Sequence, residues 1–252
     1  MQLKDKVALV TGATTGIGRA SAERFIAEGV KTLIVTGQDE ARLETARAEL
    51  SGKGASVLAI RWRAEHAQDS DALVERLTSE VGTIDILFAN AGVTWPTPLG
   101  QIDAEQAQAQ MMVNFTAPLM LVQAVSTVMN SGGSIVMNTS CLDELGMPGM
   151  AVYSASKAAL RSATRTLSAE LGDKNIRVNS VAPGPTETPI YSKLGMSEEQ
   201  LGEMASGIVS QVPAGRFGTP DEIAGAVLFL ASDASSYMRG SEIAVDGGWT
   251  SL

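Results

Sequence analysis

A chain of 252 residues with 44% hydrophobic residues, only 4% aromatic residues and 25 glycines has the size of one α/β domain built on small aliphatic side chains. Its formal charge of −9 is spread along the chain with no basic block, which argues against nucleic acid or an anionic membrane as partner. Cys141 is the only cysteine, so no intrachain disulfide can form, and the lone His66 lies in the polar run EHAQD without a partner at ligand spacing, so no metal is expected in the chemistry.

The N-terminus, MQLKDKVALVTG, enters a strand pattern without a signal-peptide core, and no run of eighteen apolar residues follows, so a cytoplasmic location is expected. Strand-like runs at 7–10, 32–36, 56–60, 84–89, 134–138, 176–182 and 242–247 alternate with helical periodicity over 17–28, 40–50, 68–80, 104–129, 152–171 and 220–231. Strands apolar throughout imply a parallel sheet covered on both faces. The expected fold is therefore a single Rossmann-type doubly wound α/β domain spanning 1–252. Residues 183–219, rich in glycine and proline, interrupt the rhythm beyond a strand's carboxyl end, and about 185–215 is read as a substrate lid.

The motifs fall at the carboxyl ends of the strands, where ligands gather in such sheets. TGATTGIG at 11–18 carries Gly12, Gly16 and Gly18 in a spacing that departs from G-x-G-x-x-G, but at the first strand-to-helix turn, the position suited to a dinucleotide pyrophosphate. Asn90, Ala91 and Gly92 end the fourth strand, where Asn90 can brace neighbouring strand ends. Asn114 sits in the apolar run MMVNF, so its amide is expected to be buried and bonded, either between helices or in a site. Ser140 follows the fifth strand, and Cys141 beside it reads as a packing residue. In YSASKAAL, helical spacing puts Tyr153, Lys157, Leu160, Thr164, Leu167 and Leu171 on one stripe while Arg161, Arg165 and Glu170 lie off it. An inward lysine is costly unless its charge is used.

Together and in this order, TGxxxGIG, NAG, a mid-chain Asn, Ser, Y-x-x-x-K, Pro183-Gly184 with Thr188 beyond, and the terminal VDGGW resemble the classical short-chain dehydrogenase/reductase family over essentially the whole chain. The resemblance implies hydride transfer between a nicotinamide cofactor and a ketone or secondary alcohol. It implies a catalytic set of Asn114, Ser140, Tyr153 and Lys157, in which Tyr153 moves the proton, Ser140 bonds the substrate oxygen and Asn114 holds a relay water. The cofactor would lie along Gly12, Thr15, Gly16, Ile17, Gly18, Gln38, Arg63, Asn90, Ala91, Gly92, Tyr153, Lys157, Pro183, Gly184, Thr186 and Thr188. Lowering a tyrosine from about 10 to neutrality needs about 4 kcal/mol. An ammonium at about 4 Å with an effective dielectric near 20 supplies about that much.

Two positions depart from the family pattern. Gln38 stands where NADP-preferring relatives often carry Arg, the preceding Thr36-Gly37 leaves the position where NAD-preferring relatives carry Asp without an acid, and that ending leans toward NADP(H) over NAD(H), with dual use open. Arg63 falls where relatives carry an adenine-binding Asp, and an arginine cannot accept a hydrogen bond. The expectation there is either stacking of adenine on the guanidinium or poor cofactor affinity. Trp95, Leu142, Met147, Tyr191 and Leu194 are expected to line a pocket for a medium-sized, largely apolar substrate, and the resemblance implies a homotetramer. The contrasting reading is a dinucleotide-sensing or scaffold protein of the same fold without catalysis.

Overall fold

A computed structural model of the chain describes residues 1–66, 68–189 and 197–252. Its strands are β1 (Val7–Val10), β2 (Thr32–Gly37), β3 (Ser56–Arg61), β4 (Ile84–Ala89), β5 (Met129–Asn138), β6 (Arg177–Pro183) and β7 (Glu242–Val245). They form one sheet in the order β3-β2-β1-β4-β5-β6-β7, with every pairing parallel.

Successive side chains of a strand point to opposite faces, so a run that is apolar at every position feeds two cores. In β1, Ala8 and Val10 join Phe25 of α1 (Gly16–Ala27), Leu43 of α2 (Glu40–Ser51) and Ile223 of α8 (Pro220–Ala231) in one cluster. Leu9 between them joins Leu73 of α3 (Asp69–Glu80), Leu121 of α5 (Ala117–Val125) and Leu160 of α6 (Ala151–Glu170) in the other. Helices therefore cover both faces of the sheet. The chain winds outward from β1 to β3 and returns to begin β4 on the other side of β1. That reversal opens a crevice at the carboxyl ends of β1 and β4.

Two expected elements differ from those observed. The helix read over 104–129 is broken into α4 (Ala104–Met111), a π-turn at Met112–Thr116 and α5, and β5 already begins at Met129, paired with Ile84. The segment read as an irregular insert contains α7 (Glu198–Val209), started by a capping box in which Ser197 and Gln200 satisfy each other's backbone amides. Among the described residues no helix is long and apolar enough to cross a membrane.

Candidate active site

The glycine-rich turn is held open by backbone geometry. Gly12 and Gly16 adopt φ of +64° and +57°, a region that side chains disfavour. Gly18 serves packing instead: a Cβ there would collide with the Gly12 carbonyl and lie 2.5 Å from Asn90 Nδ2. Thr15, the residue before α1, makes no side-chain cap, and the first turn of α1 holds no acidic residue, so the helix's leading amides face the crevice uncapped.

Asn90 ties three strand ends together. Its Nδ2 donates to Thr11 O at 2.9 Å, its Oδ1 accepts from Asn138 Nδ2 at 2.9 Å, and Thr11 Oγ1 accepts from the amides of Asn90 and Ala91. Across the crevice the chain after β6 folds back over the turn. Thr188 Cγ2 lies 3.2 Å from where a Gly16 Cβ would stand, and a Cβ on Gly184 would meet Asp246 Cα at 2.5 Å. Thr186 Oγ1 donates to Gly184 O at 2.9 Å, fixing the bend.

Between these walls lies a cavity of about 330 Å³, lined by Gly12, Thr15, Gly16, Ile17, Gln38, Asn90, Ala91, Gly92, Ser140, Tyr153, Lys157, Pro183, Gly184, Thr186 and Thr188. A dinucleotide fits this lining: two glycines at positive φ leave room for a phosphate, uncapped helix amides face it, and threonines line both walls.

Lys157 is 4% exposed, as the helical stripe predicts. Its Nζ donates to Asn138 O at 2.7 Å and lies 5.9 Å from the centroid of the Tyr153 ring. Burial pushes the ammonium down to about 8, while the charge of Asp143 pulls it back up. Ser140 Oγ accepts from Leu142 N at 3.2 Å, and the short turn Cys141–Asp143 follows it directly. That turn is anchored from behind by Arg161, which reaches Asp143 Oδ1 at 3.6 Å, Glu144, and Glu242 Oε1 at 2.8 Å. Burial, with the charge of Glu242, raises the Asp143 carboxyl to about 7. Burial also raises the Cys141 thiol to about 12, so it stays protonated and unreactive near neutrality.

Three expected positions lie elsewhere. Asn114 is fully buried in the π-turn, where Nδ2 donates to Val93 O at 2.9 Å and Ser156 Oγ at 3.1 Å while Oδ1 accepts from Val93 N at 2.9 Å. It braces the Gly92–Val93 wall from behind and neighbours Lys157: its Oδ1 and Lys157 Nζ lie 3.2 and 3.5 Å from where a Gly92 Cβ would stand. Arg63 is turned away by Asp69, whose carboxylate takes Nε at 2.9 Å, Nη2 at 3.1 Å and the Arg63 amide at 3.1 Å. Stacking of adenine on this guanidinium is therefore not supported; Trp62, Ala64 and Glu65 line that end of the cavity instead. Trp95 is not among the lining residues; its backbone amide donates to Gln110 Oε1 and its carbonyl accepts from Gln110 Nε2. Leu142 and Met147 do line the cavity, joined by Met150, Met204, Ile208 and Trp249. Tyr191 and Leu194 lie outside the described residues. Met204 and Ile208 belong to α7, whose starting signal, Ser197-Glu-Glu-Gln200, stands in the sequence.

A family model described as enoyl-(acyl carrier protein) reductase matches residues 12–250. The chain is 38% identical over 250 residues to a 3-oxoacyl-(acyl-carrier-protein) reductase of Thermotoga maritima, covering 98% of this chain and 99% of that one. It is 36% identical over 257 residues to a 3alpha-hydroxysteroid dehydrogenase of Mediterraneibacter gnavus, covering 98% of each. Among solved structures, a blue fluorescent protein from a metagenomic library in complex with NADPH superposes with a TM-score of 0.90 at 32% identity, covering 100% of both chains. The chain belongs to the short-chain dehydrogenase/reductase family. It is a nicotinamide-dependent oxidoreductase acting on a small-molecule substrate, and nothing among its relatives favours a non-catalytic reading.

Proposed function

We propose that this enzyme interconverts a ketone and a secondary alcohol, with Tyr153 as proton donor and acceptor, Lys157 as its electrostatic support and Ser140 as the hydrogen-bond donor to the substrate oxygen. The observation carrying this reading is the buried Lys157 ammonium beside the Tyr153 ring, in the cavity that Ser140 also lines. A nicotinamide bound there supplies or accepts the hydride. A cation about 6 Å from a phenolate's charge is worth about 3 kcal/mol at an effective dielectric near 20, most of what a neutral-pH tyrosine base needs, and Lys157 Nζ lies 5.9 Å from the Tyr153 ring centroid. Asn114 acts through Gly92 and Val93 as a brace. Tyr153 and Lys157 are four apart, and Leu160, where the enoyl-reductase branch would carry its lysine, is a core residue; this supports carbonyl over enoyl reduction.

The cofactor would lie from Gly12, Thr15, Gly16 and Ile17 to Gly92, Lys157 and Thr188, with Gln38 and Glu65 at its adenosine end. Glu65 provides the carboxylate acceptor that Arg63 cannot be. NADP(H) is favoured over NAD(H): Thr14, Thr15 and Gln38 can donate to a phosphate, and β2 ends on Gly37 without an acid. Leu142, Met147, Met150, Met204, Ile208 and Trp249 suit a medium-sized, largely apolar substrate within a single domain; of the lid expected at about 185–215, α7 supplies Met204 and Ile208, and 190–196 lie outside the described residues. A shallow apolar groove of Met111, Met112, Thr116, Ala151, Val152 and Ala155 supports pairing of copies through α4 and α6, as a homotetramer would need. Tyr153→Phe tests the assignment: turnover of ketones should fall by a factor of about 10³, with cofactor affinity retained. Near-normal kcat would refute it.

A further inference from the structure

Around Gln38, just outside the cavity lining, three arginines compete for the role of meeting a 2′-phosphate, and each has a carboxylate partner. They are not equivalent. Arg63 is forked onto Asp69, whose side chain is only 14% exposed and also takes the Arg63 amide. Arg42 stands 3.8 Å from Asp39, the residue that caps α2 through the Arg42 amide, and its side chain is 69% exposed.

Arg61 differs in direction and in attachment. It ends β3 as the Cα partner of Gly37, so its side chain leaves the sheet on the face where a Gly37 Cβ would stand. That Cβ would lie 3.0 Å from Thr14 Cγ2 and 3.7 Å from Leu43 Cδ1, so this is the face of the glycine-rich turn and α2. Arg61 Nε donates to the carbonyl of Gln38 at 3.1 Å, which tethers the guanidinium to a residue lining the cavity. Its carboxylate partner, Glu40, meets it at Nη1 at 2.9 Å and has a side chain 72% exposed. So exposed a partner holds weakly and is readily exchanged.

The geometry points to Arg61 as the residue that reads the 2′-phosphate of the cofactor, with Glu40 as the carboxylate the phosphate displaces. This rests on the NADP(H) reading above. A phosphate of charge about −1.5 to −2 outcompetes a single exposed carboxylate for a guanidinium fork. Asp39 and Glu65, the other acids of this region, set a repulsive background that Arg61 offsets.

The test uses calorimetric titration of the full chain with 2′,5′-ADP and with 5′-AMP, and needs no turnover. The parent should bind 2′,5′-ADP the more tightly. Arg61→Met should weaken 2′,5′-ADP about tenfold, and 5′-AMP by less than about twofold, while Glu40→Gln should tighten 2′,5′-ADP about threefold. A parent that prefers 2′,5′-ADP and keeps that preference in Arg61→Met overturns the inference and leaves the NADP(H) reading standing. A parent that prefers 5′-AMP overturns the NADP(H) reading; the inference then survives only if Glu40→Gln gains affinity for 2′,5′-ADP that Glu40→Gln/Arg61→Met loses.

Discussion

Replacing Lys157 by Met should stabilise the fold at neutral pH while destroying activity. The parent ammonium sits at about 8 against an ordinary 10.5, because burial disfavours its charge more than Asp143 supports it. Below pH 8 the lysine is charged in both the folded and unfolded chain, and the folded chain carries the whole cost of burying it. Between 8 and 10.5 the folded chain has released the proton and the unfolded chain still holds it, so stability rises with pH. The gap between the two values corresponds to about 3 kcal/mol. Methionine keeps the length and removes the charge, but it forfeits the hydrogen bond to Asn138 O, a loss of about 1–2 kcal/mol. The variant should therefore be more stable than the parent by about 1–2 kcal/mol at pH 7, and the advantage should shrink above pH 8 and reverse to a deficit of about 1–2 kcal/mol as pH approaches 10.5. Urea unfolding of both proteins between about pH 6 and 10 reads the difference directly. A Met variant less stable than the parent at pH 7, by an amount that does not change with pH, would refute the argument that this ammonium is held at a cost.

Gly18→Ala should destabilise the chain by about 1–3 kcal/mol, because the new Cβ overlaps the Gly12 carbonyl and crowds Asn90 Nδ2. Thermal melting and fluorescence of bound nicotinamide cofactor should show stability and binding falling together. Val152→Glu puts a charge in the groove beside Met111 and Met112 and should lower the mass of the proposed homotetramer, read by light scattering at micromolar concentration; an unchanged mass would remove that groove from the proposed interface.

The properties legible in the sequence are those encoded by local periodicity. Apolar runs of strand length had to be buried on both faces, and Tyr153 and Lys157, one helical turn apart on the leucine stripe, had to face inward wherever that helix packed. The glycines at 12 and 16 announced a turn that only a small residue tolerates, and the order of motifs along the chain carried the family. Pairing among long charged side chains is different in kind. Arg63 was free, by sequence, to lie over adenine or under it, and only the approach of Asp69 at the start of α3 turned it aside. Arg161 lies off the stripe and reads as solvent-facing, yet β7 brings Glu242 to it from the far end of the chain, and the turn after Ser140 is anchored there. Asn114 was legible as a buried amide but not as a brace, because its partners Val93 and Ser156 are brought together by the π-turn and α6. Periodicity fixes which face a residue is on; which partner it finds depends on distances that only the packed sheet and its helices create.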